Sequence, residues 1–122
     1  MQHQWEFNFE TNDFNDTTQG HLEKKIIDLL KNEKQELGIF MSYYFRPDGA
    51  IAENVEVPEK VTFHGEWKGS ILFKFEKIHF NACLNIHEQD KEKMEIHFNI
   101  QSEKEKLVLT GPYWPERGPD EI

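Results

Sequence analysis

The stretch 78–100 constrains the fold of this chain more than any other. It reads IHFNACLNIH, passes through the charged segment EQDKEK, and resumes as MEIHFNI. Apolar and polar residues alternate twice in succession, which is the period of a strand with one face buried and one face wet. Ile78, Phe80, Ala82, Leu84 and Ile86 are expected to share a core with Met94, Ile96, Phe98 and Ile100, and HEQDKEK is expected to turn between the two strands. The intervening polar positions hold His79, Asn81, Cys83, Asn85, His87, His97 and Asn99.

The remaining elements follow from the same kind of reading. Trp5, Phe7 and Phe9 alternate with Glu6, Asn8 and Glu10, a first strand with an aromatic inner face. Asp16 and Gln19 stand at capping-box spacing, and Leu22, Ile26, Leu29 and Leu30 form a single helical stripe. A helix is predicted over 17–35, with Gly38 placed to end it. IFMSYYF, RPDG and AIAENVEV then read as a hairpin, because Pro presets φ and Gly takes a positive φ between two apolar runs. Its first arm is apolar on both faces and needs cover from the C-terminal Tyr113 and Trp114, or is itself a binding face. Pro58 ends the second arm. Val61, Phe63 and Trp67, then Ile71, Phe73 and Phe75, and finally Leu107 and Leu109 mark further strands, while the tail 111–122 is irregular and acidic. The expected architecture is one α+β domain over 1–122: an N-terminal helix packed on a curved, mainly antiparallel meander of about six or seven strands, because short turns favour antiparallel pairing.

With 122 residues the chain is long enough for a core without staples. Apolar residues make up only 37%, but ten Phe, three Trp and three Tyr compensate, since each buried aromatic removes about 150–250 Å² from water. The single cysteine excludes an internal disulfide and suits a reducing compartment. The N-terminus has neither a basic region nor an apolar run of the signal-peptide type, and no segment approaches the length of a membrane helix, so a cytoplasmic protein is expected.

The net charge of −9 argues against nucleic acid as a partner, since phosphate binding requires clustered Lys and Arg. Acids also cluster without bases: Glu6, Glu10, Asp13, Asp16 and Glu23 near the N-terminus, then Asp48, Glu53, Glu56 and Glu59. Such clusters serve solubility, or they steer a basic partner. No G-x-S-x-G, P-loop, dinucleotide fingerprint or H-E-x-x-H is present, and no metal or other cofactor is implied.

Two readings follow. In the first, the chain is a small acidic binding protein without catalytic residues that neutralises a basic partner protein, with Asp13, Asp16, Asp48, Glu53 and Glu56 as phosphate-like carboxylates and Tyr44 and Trp114 as anchors. In size, charge and lack of motifs it is of the general type of bacterial immunity proteins against nuclease toxins, although no residue motif carries that likeness. In the second, His79, Asn81, Cys83, Asn85 and His97 line a concave pocket for a small ligand or a reaction, because Asn, His and Cys are unusual on a freely solvated sheet face. Cys83 opposite His97 is the closest approach to a metal or thiolate site in that face. A monomer or a weak homodimer through edge strands is expected.

Overall fold

The computed structural model describes residues 2–10, 19–81 and 86–114. It has an α+β architecture of two helices and a curled, six-stranded antiparallel sheet resembling half a barrel. The strands are β1 (Gln4–Asn8), β2 (Ala50–Glu56), β3 (Thr62–Phe63), β4 (Lys68–Asn81), β5 (Ile86–Gln101) and β6 (Lys106–Thr110). They lie in the order β1-β6-β5-β4-β2, with β3 also paired to β4. The helices are α1 (Gln19–Asn32) and α2 (Lys34–Phe45), so the helical layer follows β1 rather than opening the chain.

The first strand has the expected aromatic face: Phe7 and Phe9 are buried and Trp5 packs against the core. In α1, Leu22, Ile26 and Leu30 are buried, and Ile27 joins them. The expected cap Asp16 lies outside the described residues. Glu23 accepts a hydrogen bond from the Val61 amide, and Lys31 pairs with Glu59 at 2.6 Å, tying α1 to the segment that leaves β2. α1 itself rests on the sheet less closely than α2 does.

The largest departure from expectation is at 34–45. The run with the pattern of a first hairpin arm is helical: Leu37, Phe40, Met41, Tyr44 and Phe45 are buried at i, i+3, i+4, i+7 and i+8. A run apolar on both faces of a strand is a run apolar on one broad face of a helix, and twelve residues suffice for three turns. The helical layer therefore does not end at Gln35, and Gly38 sits inside α2, where it faces the Ala52 carbonyl. The break falls at Glu33, whose amide bonds to the Leu30 carbonyl. The RPDG turn is real, with Gly49 at φ 70°, but it joins a helix to β2.

A second correction concerns the long hairpin. β4 and β5 pair without a register shift from Lys68↔Asn99 to Asn81↔Ile86. HEQDKEK is thus part of β5, and the connection falls on 82–85, outside the described residues. Strand pairing extends through these charged residues because β4 supplies a partner for each of them. Within β4 the apolar phase reverses at Glu76 and Lys77. Ile71, Phe73 and Phe75 face the helices, and Lys77 on the same parity lies over the Phe45 ring at 4.9 Å. Ile78 has the opposite parity and is buried outside the main core, with Ile51 across from it on β2. It therefore does not share a core with Met94, Ile96, Phe98 and Ile100, which face the helices.

The C-terminal segment crosses the end of α2. Trp114 packs edge-on against Tyr44 and Phe45, with ring centroids 4.9 and 5.4 Å away, whereas Tyr113 is 69% exposed. Gly111 makes this crossing possible, since a Cβ there would overlap the Tyr44 ring and hydroxyl. Replacing Gly111 by Ala is expected to cost about 1–3 kcal/mol by overpacking. Gly20→Ala, with open space around its Cβ, is expected to be neutral or stabilising by up to about 1 kcal/mol. Urea unfolding of the two variants checks both. Ser42 of α2 accepts the buried Ala52 amide at 2.9 Å. Ser42→Ala leaves that amide unpaired, for an expected loss of about 1–3 kcal/mol in the same measurement, with faster hydrogen exchange at Ala52.

Candidate functional site

A groove of roughly 790 Å³ runs between α2 and β2 and is the place where expected partner-binding residues converge. On the helix side it is lined by Lys34, Ile39 and Arg46, and on the strand side by Ile51, Glu53 and Glu56. Ile39 is 38% exposed because the other large side chains of α2 take the buried stripe and leave it on the outer flank. Arg46 lies over the ring of Tyr43 at 4.2 Å, a cation–π contact.

A β-bulge shapes the strand wall. Glu53 pairs with Glu76 and Glu56 with Lys74, so three steps along β2 match two along β4. The extra residue is accommodated at Asn54, which adopts φ 53° and donates from Nδ2 to Glu76 Oε2 at 2.7 Å. Asn tolerates this left-handed conformation better than most residues. In an unbroken strand, Glu53 and Glu56 would point to opposite faces. The bulge turns both outward and leaves Val55 and Val57 buried.

The other expected partner-binding residues are distributed as follows. Asp48 is exposed at the end of the short 3-10 turn Arg46–Asp48, which leads into β2. Trp114 is half-buried against α2. Tyr44 is 2% exposed and belongs to the core rather than to a surface. Its hydroxyl accepts the His3 amide at 3.0 Å. Asp13 and Asp16 lie outside the described residues.

The residues of the expected polar pocket do not share a site where they are described. His97 pairs with Ser70, nine positions before His79 on β4, which amounts to about 30 Å at strand rise. The two histidines also have opposite parity, His79 on the helix side and His97 on the outer face, because β4 and β5 pair in one continuous register. His97 has His64 as its ring neighbour at 6.3 Å and Glu95 at 3.7 Å. His64 Nε2 in turn contacts Ser70 Oγ at 3.0 Å. The strand partners of His97 are Ser70 on β4 and Thr110 on β6. Asn81 pairs with Ile86 at the end of β4, while Cys83 and Asn85 lie outside the described residues.

Sequence reading missed Ile39, Ile51 and Arg46 as groove residues. For Ile39 the signal was present in the excess apolar face of 39–45, but that excess belonged to a helix; Arg46 and Ile51 carried none. Among the described residues no helix is long and apolar enough to cross a membrane. No family model matches this chain, and no similar curated protein or solved structure was found.

Burial pushes the Tyr44 hydroxyl above its ordinary value of 10.0, and the hydrogen bond from the His3 amide opposes part of that rise. A raised native value means that the folded state holds the proton more tightly than the unfolded chain. The stabilisation is therefore complete below about pH 10 and is lost as pH rises through the native value. The expected outcome is a fall in unfolding free energy above pH 10 that is smaller in Tyr44→Phe, measured by urea unfolding between pH 8 and 11.

Proposed function

We propose that this chain is a small acidic cytoplasmic binding protein that docks onto a basic partner protein and neutralises it, in the manner of an immunity protein acting on a nuclease toxin. The observation that carries the reading is the bulged strand β2, which presents Glu53 and Glu56 on one exposed face beside Ile39 and Ile51. Carboxylates at the rim with partly exposed aliphatic side chains between them are the composition of a protein-docking surface. The groove is open along the molecule, a shape that suits another protein's side chains more than a small enclosed ligand. Arg46 is engaged on Tyr43, which lowers its competition with an incoming cation. The net charge of −9 supplies longer-range attraction, and the single cysteine is compatible with a reducing compartment.

Association is expected to be steered by charge, so that the on-rate for the partner falls as salt screens the carboxylates. The test is capture of the partner from lysate of the source cell, followed by surface plasmon resonance of the isolated pair at 50 and 500 mM salt. Glu53→Lys combined with Glu56→Lys is expected to slow association by about tenfold or more at low salt, while Glu103→Lys on the far turn changes it little. An on-rate indifferent both to salt and to the double charge reversal would overturn the reading.

A further inference from the structure

The two outer strands of the sheet end differently. On β2 the outward amide of Ala52 is taken up by Ser42 of α2. On β1 no described residue bonds the outer edge. Its ladder with β6 continues at both ends, through the Gly111 amide on the His3 carbonyl at 3.0 Å and the Phe9 amide on the Glu105 carbonyl at 2.9 Å. In an antiparallel ladder hydrogen-bonded residues alternate along the strand. The bonded positions are therefore the odd ones, and Gln4, Glu6 and Asn8 turn their N–H and C=O groups outward. Beside this edge lies a second groove of roughly 450 Å³. Trp5, Phe7 and Leu29 form its apolar part, and Glu33 and Glu36, at the break between α1 and α2, stand over it.

We propose that the β1 edge accepts an extended, Lys- and Arg-rich segment of a partner protein as an added strand. Gln4, Glu6 and Asn8 offer it alternating donors and acceptors, the source of affinity in strand addition. A side chain directly opposite Glu6 comes within about 4.5–5.5 Å, Cβ to Cβ, so a cation there meets a carboxylate. Side chains of the other parity turn toward the helices. Long basic residues there lay their stems along Trp5 and Leu29 and carry their charge to Glu33 and Glu36.

The acids decide between occupants. A second copy pairing β1 with β1 about Glu6 would set Glu6 against itself and gather both copies' Glu33 and Glu36 along one seam. Like charges directly opposite are destabilising, and a basic strand reverses each of those contacts. The preference is strongest toward Gln4 and Glu6. At the other end Lys106 donates to Asn8 Oδ1 at 2.6 Å and Lys25 to the Glu10 carbonyl. This edge is the opposite end of the sheet from Glu53 and Glu56 and needs no contribution from them.

The test uses the whole chain, ¹⁵N-labelled, with three ten-residue probes: a Lys-rich peptide with Val at every third position, its Glu-rich counterpart, and the Lys-rich peptide N-methylated at alternate residues. In the free protein the amides of Gln4, Glu6 and Asn8 are expected to exchange rapidly, and the Lys-rich peptide is expected to slow them at least about tenfold. The other two peptides are expected not to protect them. Glu6→Lys with Glu36→Lys is expected to weaken binding of the Lys-rich peptide at least about tenfold, and Glu103→Lys is expected to leave it unchanged. Protection of these amides in the free monomer would overturn the proposal, because the edge would already be covered by the chain itself. Equal binding of the Glu-rich or N-methylated peptide would also overturn it. So would a concentration-dependent dimer that protects the same amides, which would make the occupant a second copy.

Discussion

A curled antiparallel sheet that does not close leaves two edges and a mouth between them, and here the helix α2 fills that mouth. Its two flanks meet different surfaces. On the β2 side the contacts are small and close: Gly38 faces the Ala52 carbonyl, and Ser42 bonds the Ala52 amide. On the β1 side they are aromatic: Phe40 and Tyr43 pack on Trp5, and Tyr43 and Tyr44 on His3. Tyr44 sits where α2, the start of β1 and the C-terminal segment meet, with Gly111 and Trp114 against its ring. Without α2 in this position, Trp5 of β1 and Phe75 of β4 would lose the rings packed on them, and the Ala52 amide of β2 would lose its acceptor.

The placement of α2 also sets which surfaces remain available. Its apolar stripe is spent on the interior, so Ile39 and Arg46 are left on the outer flank beside β2. Its start, at Glu33 and Glu36, stands over the β1 edge. The same helix therefore borders the groove that carries Glu53 and Glu56 and the open edge that carries Glu6. On one edge a serine hydroxyl takes the Ala52 amide, and on the other, where no described residue bonds the outward groups of β1, Glu6, Glu33 and Glu36 stand beside the strand. Both arrangements discourage uncontrolled pairing of like copies, in keeping with the ways natural sheets manage their edges.

Several elements were legible because a local pattern was enough. The aromatic alternation of β1, the stripe of α1, and the alternation of Ile71–Phe75 and Met94–Ile100 each match the observed buried face. The α2 segment is ambiguous in sequence because strand and helix compete for a short run rich in aromatic residues, and RPDG, a turn signal, suits either one on its upstream side. His79 and His97 look alike in sequence but lie on opposite faces of the sheet, for a different reason. Alternation identifies a face within a strand, but not which face of the whole sheet it joins. The phase reversal at Glu76–Lys77 put Ile78 on the opposite side of the sheet from Phe75. The groove was half legible: Glu53 and Glu56 were marked by charge, but their common outward direction depends on the bulge at Asn54.

The sequence by itself determined the class of structure, the acidic surface and the apolar sets that had to be buried, because periodicity and charge are local properties of a chain. The tertiary structure decided which partner each strand took, where the long hairpin turned and which acids shared a face. Those depend on register and on the packing of α2 between two edges. A shift of one residue in a strand exchanges its faces, and a segment of twelve residues becomes a helix or a strand according to what covers it.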